Sequence, residues 1–86
     1  MKKGTQIAYI PSHAKGDIEH PDVEFGFVMS ESRGSAYFCR YWLKGKPGDL
    51  RSVANSELTP SDCLVEHESV NQAFVDAYIQ AIEEER

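Results

Sequence analysis

The stretch VEFGFVMS-ESRGS-AYFCRYWL, residues 23–43, decides the fold of this 86-residue chain. Two segments rich in aromatic and β-branched residues flank a short polar turn that contains Arg33 and Gly34. This pattern predicts an antiparallel β-hairpin. The stretch also holds the only Trp, three of the four Phe and two of the four Tyr. We therefore expect a β-centred fold built around this hairpin.

Shorter elements are predicted on both sides of the hairpin. A first strand is expected over Thr5–Ile10, and a long polar loop, SHAKGDIEHPD, follows it. After the hairpin, the expected order is a turn at 44–49, a weaker strand over Leu50–Leu58, a helical turn over Thr59–Asp62 and a last strand over Leu64–Glu66. In the helical turn, Thr59 is the expected N-cap and Pro60 suits the first helical position.

The period of the apolar residues changes at the end of the chain. It becomes helical from Val70 onward, with the predicted stripe at Val70, Ala73, Phe74, Ala77, Tyr78, Ala81 and Ile82, widened by Val75 and Ile79. Ser69 and Gln72 match a capping box. The sequence therefore predicts an α+β protein that is mainly β, with a five-stranded antiparallel barrel over residues 4–66 and a C-terminal α-helix over 69–86.

This order of elements resembles the Src homology 3-like small barrel. The resemblance covers residues 4–66 and rests on strand order and on the segments GTQIAYI, VEFGFVMS, AYFCRYW and ELTPSDCLV. Such barrels include peptide binders, nucleic-acid binders, ribosomal modules and many small bacterial and phage proteins, so the resemblance implies an architecture rather than a function. The long loop lacks the run of aromatic and acidic residues that peptide-binding members carry.

Both faces of the third predicted strand carry apolar side chains. Tyr37, Cys39, Tyr41 and Leu43 share one face, and Ala36, Phe38, Arg40 and Trp42 share the other. In the second strand, the face with Val23, Phe25, Phe27 and Met29 is the expected core. A barrel interior covers only one face, so we expect Phe74, Tyr78 and Ile82 of the helix to pack over Phe38 and Trp42. The alternative is an exposed Phe38/Trp42 platform that binds a partner.

Length and charge limit the classes of function. The chain forms one domain, residues 1–86, because this length leaves no room for a second core. Its formal net charge is −5. Sequence-independent binding to a phosphate backbone needs clustered Lys and Arg, so this charge disfavours nucleic-acid binding.

The chain also lacks membrane and secretion signals. No apolar run approaches the roughly 20 residues that span a bilayer. The N-terminal segment MKKGTQIAYIP has no continuous apolar region like that of a secretory signal. Two cysteines do not make a disulfide scaffold. We therefore predict a cytoplasmic protein that makes no membrane contact.

The long loop holds the densest group of potential metal ligands. The candidates are His13, Asp17, His20 and Asp22, followed by Glu24. Imidazole and carboxylate groups bind zinc, but this spacing matches no known closed site. Local turn hydrogen bonds in a solvated loop explain the same residues. We therefore predict no metal and no cofactor, and keep a metal-binding loop at His13–Glu24 as an alternative.

No catalytic motif is present. Cys39 lies among strand aromatics, where cysteine is typically a buried apolar filler. Asp62 precedes Cys63, and an adjacent carboxylate raises the pKa of a thiol rather than activating it. The chain has no nucleophile elbow, phosphate loop or dinucleotide-binding fingerprint. We therefore predict that the protein is not an enzyme.

The remaining prediction is a small interaction module. Trp, Tyr and Arg dominate many interfaces, so the expected contact residues for a protein partner are Tyr9, Arg40, Tyr41 and Trp42, with the His13–Asp22 loop at the rim. The partner is another protein or a second copy of the chain. The alternative is a barrel that binds single-stranded nucleic acid through aromatic stacking with Arg40, Lys44 and Arg51.

Overall fold

The computed structural model describes residues 1–31, 36–43 and 57–84. Five antiparallel strands form one curled sheet, a half-barrel, in the order β4-β3-β2-β1-β5, and a C-terminal helix follows. The strands are β1 Gln6–Tyr9, β2 Glu24–Glu31, β3 Ala36–Tyr41, β4 Glu57–Pro60 and β5 Leu64–Glu66, and the helix α1 is Gln72–Glu84. Two 3-10 turns lie at Ser12–Ala14 and Ser61–Cys63. The predicted α+β class, with five antiparallel strands and a C-terminal helix, is confirmed.

The hairpin predicted from residues 23–43 forms the centre of the sheet. β2 pairs with β3 from Gly26↔Tyr41 to Glu31↔Tyr37, and a register shift between Val28 and Ser30 marks a bulge. At Gly26 the strands approach so closely that a Cβ would stand 1.9 Å from the Arg40 carbonyl oxygen. A side chain has no space there, so this glycine permits the tight strand contact. The predicted turn at 44–49 and most of the predicted strand Leu50–Leu58 fall outside the described residues.

Each face of the sheet is buried in its own cluster. The inner cluster consists of Ile7, Val28, Cys39, Tyr41 and Leu64, with Met1, Tyr9 and Tyr37 packed against it. The outer cluster consists of Phe27, Trp42, Val75 and Ile79, with Phe25, Met29, Val70 and Tyr78 against it. Neighbouring residues of β2 enter different clusters because strand side chains alternate between faces. The face with Phe27, expected to be the barrel core, instead lies under α1, and Val28 lies inside the curl.

The helix covers Trp42, as predicted, and Tyr78 is among the covering side chains, but the buried centre of the helix is at Val75 and Ile79 rather than at Phe74. Val75 and Ile79 are the buried residues of α1, whereas Phe74 is 56% exposed. Successive helix residues are rotated by about 100°, so the true stripe is centred one position later than the periodicity indicated. Phe38 lies beyond this cover and is 38% exposed.

Asn71 caps the helix, and Gln6 of β1 holds the turn before it, in place of the predicted capping box. Gln6 Oε1 accepts hydrogen bonds from the backbone N–H groups of Ser69 (3.1 Å) and Val70 (3.0 Å). Its Nε2 donates to the Val70 carbonyl (2.7 Å) and to Gln72 Oε1 (3.1 Å). Asn71 Oδ1 accepts from the amide of Ala73 (2.9 Å). Because Gln6 already bonds this turn, Ser69 Oγ is left buried without a partner among the described residues.

The predicted helical turn is displaced by one residue. It occupies Ser61–Cys63, and no side chain caps it. Thr59 belongs to β4 and is buried, and its hydroxyl forms a 2.8 Å hydrogen bond with the Tyr41 hydroxyl. The predicted capping role of Thr59 is therefore wrong, because the threonine pairs across the sheet instead.

No helix in the described parts of the chain is long and apolar enough to cross a membrane. The predicted cytoplasmic location stays a prediction.

Candidate functional site

A large cleft lies beside the long loop between β1 and β2. Its volume is about 780 Å³. Three separate segments bound it: the end of β1 with the loop, the start of β2, and the end of β3. The lining residues are Tyr9, Pro11, His13, Ile18, Glu19, His20, Pro21, Asp22, Val23, Glu24, Phe25, Trp42 and Leu43.

The loop that forms one wall of this cleft is a succession of hydrogen-bonded turns. Backbone amides of Ala14, Asp17, His20 and Val23 donate to the carbonyls of Pro11, Ala14, Asp17 and His20, over 2.9–3.1 Å. Lys15 (φ 52°) and Gly16 (φ 79°) take left-handed conformations that reverse the chain. Pro11, Ala14 and Val23 are buried and anchor the loop to the sheet. The loop is therefore structured, and its side chains are held in defined positions.

The floor of the cleft is apolar and contains the only tryptophan. Trp42 is 5% exposed, because its other side packs against the outer cluster. Its ring lies 5.3 Å from that of Phe27. Leu43 follows at the end of β3 and is 52% exposed. The indole N–H of Trp42 is buried without an acceptor among the described residues, and such a donor costs about 1–3 kcal/mol.

Three of the four predicted metal ligands meet at the rim of the cleft. His13 Nε2 lies 2.6 Å from Asp22 Oδ2, and the amide of Asp22 donates to His20 Nδ1 over 3.0 Å. The two imidazole rings stand edge to face with centroids 5.3 Å apart. Asp17 is not part of this group, since its Oδ1 accepts the amide of Glu19. The predicted turn hydrogen bonds of Asp17 and His20 are confirmed.

The four predicted partner-binding residues do not form one exposed surface. Tyr41 is buried in the inner cluster and Trp42 in the outer cluster. Arg40 Nη1 donates to the Tyr78 hydroxyl (3.2 Å), and its guanidinium lies 5.9 Å from the centre of that ring. Tyr9 is half-buried with its ring edge against Tyr41. Adjacent strand residues face opposite sides of the sheet, so Tyr41 and Trp42 cannot share one platform. Of these four residues, only Tyr9 and Trp42 line the cleft.

Of the three residues predicted for nucleic-acid binding, the described structure includes only Arg40. Arg40 is held against the helix by Tyr78. Lys44 and Arg51 lie outside the described residues. Nucleic-acid binding therefore stays an untested prediction.

The buried thiol and phenol of the inner cluster are held in their neutral forms. Burial raises the pKa of the Cys39 thiol, which hydrogen bonds from Tyr41 and Thr59 offset only in part. Burial likewise raises the pKa of Tyr41. A raised pKa reduces the thiolate fraction, and the thiolate is the nucleophile. These groups serve the core in the way predicted for Cys39.

Sequence reasoning missed half of the apolar lining of the cleft. Pro11, Val23, Phe25 and Leu43 line it, and none was a candidate. The available signal was an isolated Ile18 within a polar loop, next to a strand end rich in aromatic residues.

The fold and the cleft together define a class: a small α+β domain with a curled five-stranded antiparallel sheet, one covering helix and a lateral cleft. The chain matches no protein-family model, no curated protein and no solved structure at a significant level.

Proposed function

We propose that the protein is a non-enzymatic interaction module, of Src homology 3-like architecture, that binds an extended segment of a protein partner in the cleft beside the long loop. The observation that carries this proposal is an open cleft with an apolar floor and an acidic rim. In this proposal Tyr9 and Trp42, which line the cleft, contact the partner, as predicted from the sequence. Arg40 and Tyr41 support the sheet behind it.

The size of the cleft suits a short peptide segment. Ligand sites typically measure about 300–1,000 Å³ and combine apolar walls with a few polar groups. This cleft measures about 780 Å³ and is lined by both kinds of residue. The segment contributes an aliphatic or aromatic side chain, which packs on Trp42, Phe25 and Leu43.

Charge complementarity defines the rest of the partner. Glu19, Asp22 and Glu24 lie at the cleft, and no described lining residue is Lys or Arg. The whole chain carries a net charge of −5. Opposite charges on the two partners accelerate association and set specificity. The partner segment therefore carries Lys or Arg beside its apolar side chain.

A displayed library of random peptides tests this proposal. Peptides selected on the full chain should share an apolar residue flanked by Lys or Arg. Their binding should change the emission of Trp42, which is the only tryptophan. Selection of acidic peptides, or of none, would contradict the proposal.

A matched pair of variants locates the site. Leu43 and Leu58 are similarly exposed, at 52% and 58%, but only Leu43 lines the cleft. Leu43→Ser should weaken binding of a selected peptide at least tenfold, whereas Leu58→Ser should change it less than twofold. Equal effects of the two substitutions would place the peptide elsewhere.

A further inference from the structure

We propose that His13, His20 and Asp22 form a binding site for one Zn²⁺ ion at the rim of the cleft. This inference is independent of the proposed peptide binding. Each residue offers a donor atom, and the three atoms all lie within 4.8 Å of one another. Two imidazole nitrogens and one carboxylate oxygen are a common set of protein ligands for zinc.

The spacing of the donor atoms suits a small tetrahedral ion. Ligand atoms at about 2.0–2.2 Å from a tetrahedral zinc lie roughly 3.3–3.5 Å from one another. The pair His13 Nε2 and Asp22 Oδ2 is closer than this, at 2.6 Å, and no pair is farther apart than 4.8 Å. Rotation of exposed side chains is enough to close this difference, because His13 and Asp22 are both exposed.

The backbone already holds the three ligands together. His13 belongs to the 3-10 turn, and His20 and Asp22 follow the reversal at Lys15 and Gly16. The amide of His20 donates to the carbonyl of Asp17, and the amide of Val23 donates to the carbonyl of His20. Binding therefore does not require the loop to fold around the ion. Because the fold already orders the loop, little conformational entropy is lost when the ion binds.

The hydrogen bonds within the group must give way to the ion. His20 Nδ1 accepts the amide hydrogen of Asp22, so in a neutral ring Nε2 carries the proton. Coordination through Nε2 requires that proton to move to Nδ1, which can then no longer accept the amide, and coordination through Nδ1 displaces the amide. Either route gives up this hydrogen bond as well as the one between His13 Nε2 and Asp22 Oδ2, which lowers the affinity relative to a site without this competition.

The nitrogen ligands select the class of metal. Imidazole suits Zn²⁺, Ni²⁺ and Cu²⁺, whereas Mg²⁺ and Ca²⁺ prefer oxygen ligands. Three protein ligands leave a tetrahedral ion with an open position. All three residues line the cleft, so a donor group of a molecule in the cleft can reach the ion.

Calorimetric titration of the full, untagged and metal-free chain with Zn²⁺ tests the site. We expect one saturable equivalent. His13→Gln, His20→Gln and Asp22→Asn should each weaken binding at least tenfold, which corresponds to about 1.4 kcal/mol. His67→Gln is the matched control, since it removes the third histidine of the chain and should change the affinity less than twofold.

Two further measurements exclude other sites. Cys63→Ser should leave the affinity unchanged, and the Co²⁺-loaded protein should show no sulfur-to-metal charge-transfer band. Far-ultraviolet circular dichroism of each metal-free variant checks that it is folded. Absence of saturable binding, equal affinity in all the ligand variants, loss of binding in His67→Gln or Cys63→Ser, or equally tight binding of Mg²⁺ would each overturn the assignment.

Discussion

The two faces of the sheet are buried by different means. Among the described residues, the inner cluster is made of strand side chains together with the N-terminal Met1. The outer cluster is covered by one helix that follows the sheet in the chain. Phe27 and Val28 are neighbours in β2, and both are fully buried, one on each side. Among the described residues, the same hairpin is thus buried among strands on one face and under a separate helix on the other.

The largest effect should come from removing the helix. A chain that ends at His67 loses Val75 and Ile79, which are buried against Trp42. Burial of an aliphatic side chain contributes about 1.5–3 kcal/mol, so the free energy of unfolding should fall by roughly 3–6 kcal/mol. The fluorescence maximum of Trp42 should move to longer wavelength, towards that of exposed tryptophan.

A chain that ends at Glu84 is the control for this truncation, because it keeps all of α1. Its emission should match that of the full chain. If the full chain already emitted like exposed tryptophan, and truncation after His67 changed nothing, the helix would not be the cover of the outer face.

The inner face should be most sensitive at Gly26. Gly26→Ala places a methyl group 1.9 Å from the Arg40 carbonyl oxygen and 2.8 Å from the Tyr41 Cα, so the two strands must separate. Overpacking of this kind costs about 1–3 kcal/mol, and contact with backbone puts this site at the upper end. Denaturant unfolding at equilibrium measures the change.

Gly16→Ala is the matched control for Gly26→Ala. A Cβ at Gly16 meets nothing within 4 Å, and only its left-handed φ of 79° opposes the substitution. Its cost should be near 1 kcal/mol. If Gly16→Ala proved the more damaging of the two, the close strand approach would not be what requires a glycine at 26.

The third-largest loss of stability should come from breaking the contact between β1 and the start of the helix. Gln6 lies in β1, and its side chain makes four hydrogen bonds to residues 69–72 at the start of the helix. Gln6→Ala leaves two backbone N–H groups without their acceptor, which costs about 2 kcal/mol. Gln80→Ala removes an exposed hydrogen bond to Glu84 and should change stability by less than about 0.5 kcal/mol. Equal effects would show that α1 docks through its apolar side chains alone.

These elements differ in how far the sequence alone predicted them. The hairpin and β5 follow from local patterns, because strand period and turn residues act over a few positions. The start of α1 does so only in part: Asn71 caps it locally, but the turn before it is bonded by Gln6, more than 60 residues away. The stripe of α1 was misplaced for a related reason: Phe74 fits the periodicity, but the position of Trp42 selects Val75 and Ile79.

The candidate site shows the same division. The ligand-type residues of the loop were visible in the sequence, and His13, His20 and Asp22 are indeed close together. Their convergence depends on Lys15 taking a left-handed conformation, which no local rule predicts for a lysine. The floor of the cleft combines Tyr9, Val23 and Trp42 from three strand ends. Only the sheet register brings these residues together.

The smallest effect at neutral pH, and the one most specific to the inner face, should come from Tyr41→Phe. The substitution removes the 2.8 Å hydrogen bond to Thr59 and should cost about 1 kcal/mol.

Burial raises the pKa of Tyr41 above its ordinary value, so the folded protein keeps the phenolic proton at pH values where the unfolded chain, with a pKa near 10, loses it. Below about pH 10 both states hold the proton, and stability does not depend on this group. Above that pH the unfolded state binds fewer protons, so the free energy of unfolding falls by up to about 1.4 kcal/mol per pH unit. Tyr41→Phe should reduce this alkaline slope, and a slope equal to that of the unmodified chain would show that Tyr41 ionises without unfolding.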